Sequence, residues 1–89
     1  MGLSQKISFE YSERDDIEKF INEVFQAQNI RKENQLFTIT PKESGEFIIE
    51  LAIEDYGLYI HRSGEYFEMF GILLEQITGK FSKATIEDY

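Results

Sequence analysis

The chain has one histidine, His61, in the stretch "LYIHR", with Tyr59 two residues before it and Arg62 after it. An imidazole is the side chain whose ordinary titration falls nearest neutral pH, and it can act as a general base if a nucleophile is held beside it. With no cysteine in the chain, that nucleophile would be a hydroxyl. The candidate serines have local duties instead: Ser12 and Ser63 read as helix caps, and Ser44 as part of a turn. Phosphate-loop, dinucleotide, nucleophile-elbow and zinc-protease signatures are absent from the sequence. The acids between Glu10 and Glu18 do not follow calcium-loop spacing. They suit the first turn of a helix, where carboxylates meet the positive end of the dipole. Catalysis, a metal and a cofactor are therefore not expected.

Composition limits the alternatives. Eighty-nine residues point to one domain spanning 1–89. Absence of cysteine rules out disulfides and thiolate-bound zinc, and tilts the expected compartment toward the cytoplasm. The first residues, "MGLSQKISFEY", lack a basic region followed by an apolar run, so they do not read as a signal peptide. Lys6 stands where a myristoylation motif wants Ser or Thr, and no apolar run reaches the ~18 residues of a membrane span. Nine basic residues face 17 acidic ones, for a net charge of −8. Nucleic acid and anionic membranes repel such a chain, whereas a basic protein is attracted to it.

The elements that would position His61 follow from periodicity. "KISFEY" alternates with Ile7, Phe9 and Tyr11 on one side, as a half-buried strand does. Ile17, Phe20, Ile21, Val24 and Phe25 recur at helical spacing, which predicts an amphipathic helix from Ser12 to about Gln28–Asn29. Strands are expected at Gln35–Thr40, Glu46–Glu54 and Gly57–Arg62. A second helix follows from about Gly64 to Thr78, and a last strand spans Phe81–Asp88. The order β-α-β-β-β-α-β predicts an α+β two-layer sandwich, a mainly antiparallel sheet with both helices on one face. It lies close to a ferredoxin-like plan with one extra strand in the middle.

Register then assigns faces, because a one-residue slip would invert every side chain. A two-residue loop at Asp55–Tyr56 pairs Ile53 with Leu58 and Leu51 with Ile60, and places Glu50 opposite His61. Around "PKESG" the pattern pairs Ile39 with Phe47 and Phe37 with Ile49. The second face then carries Leu36, Thr38, Thr40, Ile48, Glu50, Ala52, Glu54, Tyr59 and His61, a mixed patch with acids around it. His61 is expected to form a cross-strand ion pair with Glu50. From this patch Leu36, Thr38, Ile48, Glu50, Glu54, Tyr59 and His61 are the expected partner-binding residues.

On the second helix, Tyr66, Phe67, Phe70, Leu73, Leu74 and Ile77 form the expected inward stripe. Met69, Gly71 and Ile72 are a candidate seam for a homodimer, since a mid-helix glycine suggests close approach of another backbone. The leading expectation is a small acidic, non-catalytic protein-binding module. Its sharpest form is a neutralising inhibitor of the immunity type, directed at a basic, nuclease-like partner. A homo-oligomeric structural or regulatory domain is the alternative. A small-ligand binder or enzyme using His61 with Tyr59, Glu50 and Arg62 is the second.

Overall fold

The computed structural model describes residues 3–42, 45–65, 67–81 and 83–88. Its elements are β1 (Leu3–Ser8), α1 (Arg14–Val24), β2 (Asn29–Glu33), β3 (Leu36–Thr40), β4 (Phe47–Glu54), β5 (Gly57–Gly64), α2 (Phe67–Lys80) and β6 (Thr85–Asp88). The strands form one antiparallel sheet in the order β2-β3-β4-β5-β1-β6. The α+β two-layer sandwich is as expected, with one strand more than the expected order. That strand is β2. "NIRKE" has one apolar residue and no alternation, and its charges suit the outer edge of a sheet, where they discourage pairing with another chain. A two-residue turn at Asn34–Gln35 returns it to β3, and Asn34 takes the left-handed backbone, φ 56°, that asparagine tolerates.

The N-terminal strand lies inside the sheet, one place from its edge. β1 pairs β5 on one side and β6 on the other, so the first and last strands are neighbours. Ile7, Phe37, Ile39, Ile49, Leu51, Leu58 and Ile60 turn from the strands into the core. Ile17, Phe20, Ile21 and Phe25 meet them from α1 and its C-terminal turn, and Leu73 and Ile77 from α2. Phe81, just past α2, joins this core between Phe9 (ring centroids 4.9 Å apart) and Phe20 (5.2 Å) rather than opening the last strand. Gly57 makes the β4–β5 turn fit beneath β1: its φ is +139°, and any side chain there would meet the Ile7 carbonyl oxygen and the Phe9 ring.

Several boundaries differ from expectation for local reasons. β1 lies three residues earlier than "KISFEY", and Tyr11 leaves the strand to donate its hydroxyl to the Glu54 carbonyl oxygen, 2.8 Å. α1 starts at Arg14 after Glu13, with no side-chain cap, so Ser12 is not the cap. It stops at Val24, and Asn29 opens β2 instead of capping a helix. Ser63 lies in β5 opposite Ile48 rather than at a helix start. Strand β5 continues to Gly64, whose φ of +78° lets it press against the Glu46 carbonyl oxygen. The β4–β5 register is as expected at Ile53–Leu58, Leu51–Ile60 and Glu50–His61. The β3–β4 register is offset by two residues: Ile39 pairs with Ile49 and Phe37 with Leu51. A two-residue shift keeps every side chain on its expected face.

Candidate functional site

Both helices pack on the face that holds the core, and the other face of the sheet stays uncovered by them. Successive residues of a strand alternate between faces, so the paired registers give this open face as rows across the strands. One row runs Arg31, Thr38, Glu50, His61 and Ser4 from β2 through β3, β4 and β5 to β1. The next runs Glu33, Leu36, Ala52, Tyr59, Lys6 and Glu87, ending on β6. Ile48 beside Ser63 extends the patch at one end, and Glu54 beside Gly57 at the other. All seven residues expected to bind a partner (Leu36, Thr38, Ile48, Glu50, Glu54, Tyr59 and His61) thus share one surface. Ile48 is 46% exposed within it. The other apolar and aromatic members, Leu36, Ala52 and Tyr59, are half-buried.

The carboxylates on this face are Glu33, Glu50, Glu54 and Glu87, against the cations Lys6 and Arg31. Arg31 holds Glu33 at 3.1 Å in an exposed pair, which contributes little to stability. Lys6 leans over the Tyr56 ring, 4.6 Å from its centroid. Glu50 and Glu54 flank Ala52 on this face of β4, and Ala52 is the cross-strand partner of Tyr59.

His61 has a different companion from the one expected. Its Nδ1 shares a hydrogen bond of 2.7 Å with Ser4 Oγ, and Ser4 Oγ lies 3.2 Å from the Tyr59 hydroxyl. Glu50 is the cross-strand neighbour of His61 on β4, but among the described residues no ion pair joins them. Sequence reading missed Ser4. It stands fifty-seven residues from His61, before the expected start of the strand, and only the β1–β5 pairing brings the two together.

A hydroxyl bonded to an imidazole is the first half of an activated nucleophile. Its setting is an open strand surface. Four concavities among the described residues are lined by Phe9, Asp16, Asp55 and Lys80, by Ser8, Tyr56 and Lys83, by Pro41, Ile48 and Gly64, and by Val24, Ile72 and Gln76, and none of these four takes in Ser4, Tyr59 or His61. Arg62 does not join them either. It lies on the helix side, 5% exposed, with its guanidinium 3.6 Å above the centre of the Phe70 ring. The expected grouping of Arg62 with His61 and Tyr59 is therefore split between the two faces of the sheet. Among the described residues no group of three or more His, Cys, Asp or Glu side chains is placed to hold a metal ion.

The α2 seam divides in the same way. Ile72 is 38% exposed. Met69 is half-buried, and its sulfur accepts a hydrogen bond from Gln28 Nε2 at 3.8 Å, so it serves the contact between α2 and the turn from α1 to β2. Among the described residues a Cβ at Gly71 would meet nothing within 4 Å outside its own helix, so no described backbone packed against α2 explains that glycine. Phe67, expected to point inward, is 76% exposed, and Tyr66 lies outside the described residues. No described helix is long and apolar enough to cross a membrane.

No protein-family model matches the chain, and neither does any curated protein or solved structure.

Proposed function

We propose that this chain is a small acidic protein-binding module that receives a basic partner on the open face of its sheet. The observation that carries the reading is the row Thr38–Glu50–His61–Ser4 beside Leu36–Ala52–Tyr59 on a sheet face that neither helix covers. Half-buried aliphatic and aromatic groups supply desolvated contact area. The carboxylates Glu50 and Glu54, with the net charge of −8 behind them, steer a cationic protein toward it and speed association. The use that draws most on this charge is neutralisation of a basic enzyme, as an immunity-type inhibitor does for a nuclease-like protein. The cytoplasm fits a cysteine-free chain of this kind.

The test is differential retention. The chain, its Glu50→Lys variant and its Glu23→Lys variant are immobilised and offered cationic proteins at low salt. Both variants change the net charge by the same amount, but Glu23 lies on α1, away from the sheet face. A partner held by the chain and by Glu23→Lys but released by Glu50→Lys supports the reading. Equal retention on all three removes it.

A second reading has its own observation. Gly71 faces open space and Ile72 is exposed on the same helix, which suits a seam between two copies of the chain.

A further inference from the structure

The open face ends in a concavity that gives the partner a more definite chemistry. Pro41, Glu46, Phe47, Ile48, Ser63 and Gly64 line a notch of about 380 Å³ where β4 begins and β5 ends. Apolar groups make most of its wall, and the one charged side chain among the six is the exposed Glu46. Its shape depends on Gly64. At φ +78° this residue packs against the Glu46 carbonyl oxygen, and the next N–H, that of Glu65, donates to the same oxygen at 2.7 Å. No side chain at position 64 could occupy that space without moving β4. Ile48 and Ser63 are cross-strand partners, and Glu50 and His61 are the next pair on the same face. The notch is thus continuous with the proposed binding surface.

We propose that this notch is the anchor subsite of the open face, and that it takes one aromatic side chain of the basic partner, with a neighbouring cationic group of that partner set against Glu46. The proposal rests on the open-face reading. The volume lies at the low end of the ~300–1,000 Å³ range of small-molecule sites, which suits a single ring rather than an extended ligand. Buried aromatic anchors beside charged groups are the usual energetic centre of a protein interface. A partner that presents both would explain why Ile48, an isoleucine on a face away from the core, is left open to solvent.

Tryptamine carries both features in one small probe, and tryptophol carries the same ring without the charge. Amide shifts of the labelled chain are followed with each. The expected result is that tryptamine moves the amides of residues 46–48 and 63–64, and binds about threefold more tightly than tryptophol through the exposed carboxylate. In Glu46→Gln, an exposed change that leaves the fold intact, the two probes become equal. Shifts centred elsewhere, equal binding of the two probes to the unaltered chain, or no effect of Glu46→Gln would overturn the proposal. Retention of a cationic protein that depends on Glu50, with no tryptamine at the notch, would remove the notch and leave the open-face reading. Tryptamine in the notch without Glu50-dependent retention would do the reverse.

Discussion

Ser4 Oγ and His61 Nδ1 are 2.7 Å apart across the β1–β5 pair, and this bond ties the N-terminal strand to the centre of the open face. The pair is half-buried. Its loss leaves one partner less satisfied, and a net hydrogen bond of this kind contributes about 0.5–1.5 kcal/mol. Ser4→Ala should therefore lower unfolding stability by about that much in a denaturant titration. An unchanged midpoint would mean that the bond is not made in solution.

Ile48 and Ile49 are neighbours in sequence with opposite environments. Ile49 is fully buried between Ile39 and Arg62, and Ile48 is 46% exposed. Ile49→Ala should cost about 2–5 kcal/mol, as removal of core methyl groups does. Ile48→Ala should stay within about 0.5 kcal/mol, as surface changes do. Denaturant midpoints of the two variants give the comparison, and similar losses would show that the sheet faces are assigned wrongly.

Two glycines should respond in opposite directions to alanine. At Gly57 the positive φ and the nearby Ile7 carbonyl make a Cβ costly, by roughly 1–3 kcal/mol for a strained backbone. At Gly71 a Cβ meets open space within a helix, so alanine should add up to about 1 kcal/mol and raise the melting temperature by roughly 4–8 °C for a domain of this size. A loss of stability in Gly71→Ala that grows with protein concentration would show instead that a second copy packs there.

The two-chain seam makes a separate prediction about mass. If the open sheet face, and not α2, is the working surface, light scattering at tens of micromolar should give the 10.5 kDa of a single chain. A concentration-dependent rise toward twice that mass, abolished by Ile72→Lys, would favour the homo-oligomeric reading.

How far the sequence reveals this surface depends on where its constraints are local. The β4–β5 register is legible because Leu51, Ile53, Leu58 and Ile60 alternate on both sides of a two-residue turn, leaving one consistent pairing. The β3–β4 loop is longer, from Pro41 to Glu46, and its length does not fix register. The pattern constrained only the face, so the expected pairs are off by two residues. β2 carries no periodic signal, since an edge strand of Asn, Arg, Lys and Glu reads as a loop. Ser63 resembles a cap, but the strand runs past it because Gly64 can pair with Phe47 at a positive φ. Within the site, Glu50, Tyr59 and His61 fall together through the hairpin that joins them. Ser4 reaches them only through a pairing between the chain's first strand and its fifth, which no local pattern encodes.

The central claim is that a basic protein docks on the row containing Thr38, Glu50 and His61 and on Tyr59 in the row beside it. Amide hydrogen exchange of the chain, free and bound to the cationic protein that Glu50→Lys releases, tests it most directly. Protection should rise in β3, β4 and β5 around Leu36–Thr38, Ile48–Ala52 and Tyr59–Ser63, and weaken as salt is raised, because the steering charges are exposed. Protection confined to α1 or α2, or binding indifferent to ionic strength, would contradict the claim.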